Sequence, residues 1–138
     1  MMKNMPEDHP ASRLIILSGL RGSGKSTLLQ SAIGRVRNSG QDVAGILSLP
    51  VEKNGLKVAI DGLDLRKGEK QRLAVRNSGS QGALDTDRWQ FNPHRMRWAN
   101  DLLEAVSACD LLVVDELGVL EFERGQGWLA GLKALDKG

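Results

Sequence analysis

Two stretches of the chain hold the residue types that phosphate chemistry requires. The first, Gly19-Leu20-Arg21-Gly22-Ser23-Gly24-Lys25-Ser26-Thr27, fits the spacing G-x-x-x-x-G-K-[ST]. Glycines let backbone N–H groups curl closely around phosphate oxygens, and a lysine at this position neutralises the terminal phosphates. The Ser26 hydroxyl is a hard oxygen ligand suited to Mg²⁺, and the helix that follows points its positive end at the anion. The second stretch is Asp115-Glu116, which ends the apolar run Leu111 to Val114. A carboxylate at a strand end can bind Mg²⁺ directly or through water, and its neighbour can orient or deprotonate the water that attacks a phosphorus atom. Either stretch alone has an ordinary explanation, a Gly-rich turn with an incidental lysine or a strand exit. Together they describe one site. Gly19 to Thr27 are expected to cradle phosphates, Ser26 and Asp115 to hold the metal, and Lys25 and Glu116 to do the chemistry.

Such a site needs a strand, a helix and a second strand to carry it. Leu14 to Leu17 reads as a strand leading into the glycines. From about Lys25 to Arg37 the apolar residues Leu28, Leu29, Ala32, Ile33 and Val36 recur at helical spacing, and Asn38-Ser39-Gly40 supplies a stop. Val43 to Leu47 reads as a buried strand, so strand, helix and strand imply a parallel sheet whose C-terminal edge gathers the phosphate loop and Asp115. An antiparallel excursion follows. Pro50 to Lys53 is expected against Leu56 to Ile60 about Asn54-Gly55, then Leu63 to Arg66 against Gln71 to Val75 about Lys67-Gly68. The excursion carries Lys53, Lys57, Arg66, Lys67, Lys70, Arg72 and Arg76, either as a solvated surface or as a flap that contributes base or phosphate contacts. Asn77 to Arg88 has no periodicity and reads as a mobile loop, a lid or disorder. Asn92-Pro93 caps a helix reaching about Ser107, with Ala99, Leu102, Leu103 and Val106 on its apolar face. A last helix is expected from Phe122 to Leu135. The fold class is therefore α/β, a mostly parallel sheet with an antiparallel hairpin excursion. Residues 1–12 form a flexible tail and 13–138 one domain. Its three parallel strands are fewer than such a sheet closes with, so C-terminal strands are expected to be missing.

Composition narrows the class. The 138 residues carry a net charge of +2, too mild a balance to call for nucleic acid. The lone cysteine, Cys109, excludes an internal disulfide and fits a reducing cytoplasm as a small hydrophobe. No apolar run reaches the length of a membrane span and the N-terminus has no signal-peptide core, so a soluble, cytoplasmic and monomeric protein is expected. His9 and His94 have no zinc spacing. Trp89, Trp98 and Trp128 are expected in the core rather than against a base.

Several pieces together resemble the small P-loop nucleoside-triphosphatase family, the bacterial and archaeal relatives of the human cancer-related nucleoside-triphosphatase. Beyond Gly19 to Thr27 these are Gly45-Ile46-Leu47-Ser48 with Val51, Gly68-Glu69 with Leu73-Ala74, and above all Asp115-Glu-Leu-Gly-Val-Leu-Glu121-Phe122, similar to D-E-[IL]-G-x-[ML]-E. The resemblance implies a P-loop three-layer sandwich and Mg²⁺-dependent hydrolysis of ATP, GTP and other nucleoside triphosphates to diphosphate and phosphate, with loose base selectivity. It implies triphosphate binding by Gly19 to Thr27, metal service by Asp115 and water activation by Glu116. Pro50, Glu52 and Ala59-Ile60 depart from the family pattern in the flap. Two other functions use the same loop and metal, a nucleotide or small-metabolite kinase and a slow nucleotide-switched accessory protein. Arg21 or Arg124 is available as an arginine finger.

Overall fold

In the computed structural model, which describes residues 13–19, 24–116, 120 and 124–136, the chain forms α1 (Lys25–Asn38), β1 (Val43–Lys53), β2 (Leu56–Asp64), β3 (Lys70–Arg76), β4 (Trp89–Phe91), α2 (Pro93–Glu104), β5 (Leu111–Val114) and α3 (Leu129–Asp136). Local chemistry explains most boundaries. Gly24, at φ 87°, sits just ahead of α1, and beyond its end Gly40 takes φ 79° and donates to the Arg37 carbonyl. Asn92 caps α2 by accepting from the N–H groups of His94 and Arg95, with proline at the first helical position. Asn54 and Gly55 both adopt left-handed φ, 53° and 75°, as the tightest hairpin turns require.

The sheet order is β4-β3-β2-β1-β5. Among the described strands only β1 and β5 are parallel; β1–β2, β2–β3 and β3–β4 are all antiparallel. The sheet is α/β but mostly antiparallel, which corrects the expectation of a mostly parallel one. The cause lies in β1, which runs on through eleven residues and turns straight back through Asn54-Gly55, so hairpins rather than crossovers build the rest of the sheet.

Helices cover both faces. Ile46, Leu73, Met96, Ala99, Leu103 and Trp128 form a core under α2 and α3, while Ile33, Val43, Leu47, Leu65 and Val113 form another under α1. The neighbours Ile46 and Leu47 fall in different cores, as strand alternation demands.

Other expectations shift. The first hairpin has the expected register, with Val51 opposite Ala59 and Lys53 opposite Leu56. In the second, β2 is its first arm, Leu63 pairing with Lys70 and Ala59 with Val75. Asp61-Gly62, which falls between the two expected hairpins, lies inside β2. A Cβ on Gly62 would come within 2.8 Å of Leu73 Cδ1, so the glycine there serves packing rather than turning. Leu14 to Leu17 forms no strand: Leu14, Ile15 and Ile16 are 62%, 82% and 80% exposed. β-Branched composition supplies propensity, whereas a strand is made by a partner ladder, and this run has none among the described residues. Residues 77–88 are irregular, as expected, yet tied together. Asn77 Nδ2 donates to the carbonyls of Ser80 and Thr86, and Asp85 accepts from the Gly82 N–H and the Ser80 hydroxyl. The short strand β4 went unforeseen. α2 stops at Glu104 with Met96, Ala99 and Leu103 buried, and α3 begins only at Leu129. Cys109 is half-buried, and burial pushes its thiol pKa up. No described helix is long and apolar enough to cross a membrane. The expected tail 1–12 and Phe122 lie outside the described residues.

Candidate active site

The start of α1 is built for an anion. Gly24 precedes it with no side-chain cap, no acid occupies the first turn, and Leu28 N–H makes the first helical bond, to the Gly24 carbonyl at 3.0 Å. The amides of the opening turn therefore have no intrahelical acceptor and carry the positive end of the helix. Ser26 and Thr27 are exposed there. Lys25 Nζ donates to the Gly19 carbonyl at 2.7 Å, folding the ammonium back over its own loop. Leu20, Arg21, Gly22 and Ser23, expected to complete the cradle, lie outside the described residues, as does Glu121.

Asp115 is placed by β1. Parallel pairing aligns Gly45 with Val113 and Ile46 with Val114, and Asp115 N–H continues the ladder to the Ile46 carbonyl at 3.1 Å. Ser48 then holds the residue twice. Its N–H donates to Asp115 Oδ2 at 3.1 Å and its hydroxyl donates to the Asp115 carbonyl at 2.6 Å. Sequence reading gave Ser48 no role. The available signal was a hydroxyl residue a few positions along the strand that pairs with the acid-bearing one. Gly45, noted only within the family resemblance, has a packing role that was not read: a Cβ there would stand 1.9 Å from the Val113 carbonyl oxygen, and its φ is 112°. Only glycine lets β5 approach β1 this closely.

Burial pushes the Asp115 pKa up, the Ser48 N–H pulls it down, the neighbouring Glu116 charge raises it, and Lys25 and Lys57 lower it. Lys25 and Asp115, from opposite parts of the sequence, are thus near enough for their charges to act on each other. Asp115 is half-buried and Glu116 beside it is exposed. Arg124 donates to the Asp85 carbonyl at 2.5 Å, which occupies it on the 77–88 loop; Arg21 is not among the described residues.

Among the described residues no three His, Cys, Asp or Glu side chains are grouped to hold a metal. The oxygen donors at Ser26 and Asp115 fit a different class of ion. Mg²⁺ takes one or two protein oxygens and completes its shell with water and phosphate.

A family model described as NTPase matches residues 14–126. The chain belongs to the NTPase family. This NTPase-family chain is 31% identical over 108 residues to the nucleoside-triphosphatase THEP1 of Pyrobaculum aerophilum, an alignment covering 78% of the chain and 58% of that protein. It is 27% identical over 109 residues to the nucleoside-triphosphatase THEP1 of Methanopyrus kandleri, covering 79% of the chain and 59% of the relative. The chain therefore spans less than two thirds of the length of these two relatives. Its fold is similar to the solution structure of a human cancer-related nucleoside triphosphatase, with a TM-score of 0.64 at 20% identity, covering 86% of this chain and 67% of that one.

Proposed function

We propose that this NTPase-family chain hydrolyses nucleoside 5′-triphosphates, ATP and GTP among them, to diphosphate and phosphate, by in-line attack of water on the γ-phosphorus. The observation that supports this reading is Asp115, pinned at the end of β5 by Ser48, with the charge of Lys25, at the uncapped start of α1, acting on its carboxylate. The names of the relatives point the same way.

In this reading the finer fold is a P-loop sandwich. The amides at the opening of α1 and the loop from Gly19 to Thr27 cradle the β- and γ-phosphates. Lys25 leaves the Gly19 carbonyl to meet the γ-phosphate oxygens, where charge grows in the transition state. Ser26 Oγ and Asp115 would hold Mg²⁺, which would supply positive charge against the triphosphate. Ser48 keeps the Asp115 backbone from rotating, so the carboxylate meets its ligand already oriented. Glu116, exposed and unencumbered by burial, orients the attacking water and accepts its proton.

Phosphate release from a panel of nucleoside triphosphates tests the proposal. Steady release without any added acceptor, lost in Lys25→Ala and slowed about 100-fold with nucleotide binding retained in Glu116→Gln, is the expected result. Release only when an acceptor alcohol or nucleotide is added makes the protein a kinase. Tight binding with negligible release makes it a nucleotide switch. An unchanged rate in Glu116→Gln removes that glutamate from the mechanism.

A further inference from the structure

The three tryptophans were expected to share one fate, and they do not. Trp128 is buried and Trp98 packs against the same core, but Trp89 belongs to neither core cluster and is half-buried at the outer edge of the sheet. A large apolar ring left out of the core needs another explanation.

Its backbone is firmly held. Trp89 N–H donates to Thr86 Oγ1 at 3.1 Å, its carbonyl accepts from Thr86 N–H at 2.8 Å, and it pairs with Arg76 in the β3–β4 ladder. Two cations lie against the ring. Lys57 Nζ stands 5.5 Å and the Arg76 guanidinium 6.0 Å from the ring centroid. Arg76 Nε also donates to the Lys57 carbonyl at 3.1 Å, which fixes the three residues as a unit. Both cationic side chains are exposed, and neither forms an ion pair among the described residues. Both cations stand over the ring without acidic partners among the described residues, so a polyphosphate can draw them off the π-surface and leave it to a base. That combination matches a nucleobase joined to a polyphosphate.

Position agrees with this. β1 runs on past Ile46, where β5 ends and Asp115 follows, to Glu52, which pairs with Lys57, so the hairpin end that carries Lys57 overhangs the Asp115 end of β5. The Lys57 ammonium thus stands over the aromatic ring on the part of the hairpin that reaches past β5 toward the side where Asp115 lies.

We propose that Trp89 is the stacking platform for the base of the nucleoside triphosphate, with Lys57 and Arg76 turned toward its ribose-phosphate end. This rests on the triphosphatase reading above and extends it to the nucleoside. Stacking reads the π-face that every base possesses, so the platform accepts many bases and holds the larger purines more tightly than pyrimidines. It also gives the basic hairpin a use: a flap whose cations work through an aromatic partner.

Equilibrium binding tests this with three probes, non-hydrolysable β,γ-imido analogues of GTP and CTP and inorganic triphosphate, each with Mg²⁺. In the 138-residue chain the GTP analogue is expected to bind more tightly than the CTP analogue, and both more tightly than inorganic triphosphate. Trp89→Ala weakens the GTP analogue by about tenfold or more and leaves inorganic triphosphate unchanged, while Trp89→Phe keeps most of the affinity. Trp89→Leu, which preserves apolar bulk but not the π-face, replaces the alanine variant if that one fails to fold. Lys25→Ala weakens all three probes. Equal affinities of wild type and Trp89→Ala or Trp89→Leu for the GTP analogue, with Lys25→Ala still impaired, overturn the platform and leave the phosphate cradle standing. Full affinity for all probes in Lys25→Ala overturns the triphosphatase reading, and the platform with it.

Discussion

Asp115 answers two demands that oppose each other. To meet a cation it must be ionised, yet burial and the neighbouring Glu116 charge both favour its protonated form, and the Ser48 N–H and the Lys25 and Lys57 charges only partly offset them. The native state therefore holds that proton more tightly than the unfolded chain does. The sign follows from linkage: the contribution to stability falls as pH rises from the ordinary aspartate range through the raised value, and above that a constant cost remains. Asp115→Asn removes the charge while keeping an oxygen for the Ser48 N–H. It is expected to melt above wild type at neutral pH, with the difference vanishing in acid, while phosphate release falls about 100-fold or more. Thermal melts across a pH series, beside a phosphate assay, check both halves; a variant that melts lower at neutral pH contradicts the burial argument. Ser48→Ala separates orientation from charge. It deletes the hydroxyl bond to the Asp115 carbonyl but spares the N–H bond to the carboxylate, so about 1–2 kcal/mol of stability should go. Turnover should fall further than that loss explains, and Ser48→Thr should recover it. Full turnover in Ser48→Ala would leave the hydroxyl with a structural role only.

At the scale of elements, the parallel joint between β1 and β5 is what delivers Asp115, and Gly45 sets its width. Placing a methyl group 1.9 Å from the Val113 carbonyl oxygen at φ 112° adds overpacking to backbone strain, a cost of roughly 3 kcal/mol or more. Gly45→Ala should show that loss in urea unfolding and a matching fall in turnover, since β5 moves with its acid; a variant as stable as wild type would mean the strands separate freely. This joint also marks what could be read in advance. α1 and α2 were legible because glycine, asparagine and proline announce helix ends through backbone chemistry that acts within a few residues. The Asn54-Gly55 hairpin was legible for the same reason. β4 was not, having three residues and no turn signal of its own, and β2 was cut in two because Asp61-Gly62 imitates a turn while packing against Leu73. The phosphate loop and Asp115-Glu116 stood out as motifs. Gly45 and Ser48 stood out only as part of the family resemblance and without a role, because their work is done on a strand that lies, at Ser48, 67 residues from Asp115 in sequence, and no local pattern records a strand pairing.

On the scale of the whole molecule, the two halves of the candidate site belong to different parts of the fold. α1 rests on one face of the sheet through Ile33, with Leu29 and Val36 half-buried beside it, and through the Arg37 bond to the Leu65 carbonyl. Asp115 belongs to the end of β5, at the margin of the sheet. Lys25 spends its ammonium on the Gly19 carbonyl, so in the protein itself the link between helix and acid is the mutual influence of two charges. A triphosphate with its metal would bridge them, and a ligand that binds only the folded arrangement stabilises it by mass action. At 100 times its dissociation constant the gain is about 2.7 kcal/mol. For a chain of 138 residues each kcal/mol is worth about 3–4 °C, so Mg-GTP should raise the melting temperature by roughly 10 °C. Chelating the metal with EDTA should remove most of that rise, Lys25→Ala should abolish it, and Asp115→Asn should reduce it to the value seen with EDTA. If Mg-GTP and metal-free GTP raised the melting temperature equally, and Asp115→Asn made no difference, nucleotide would be binding α1 alone. The parallel joint, Ser48 and the acid would then have been brought together for something other than the phosphate.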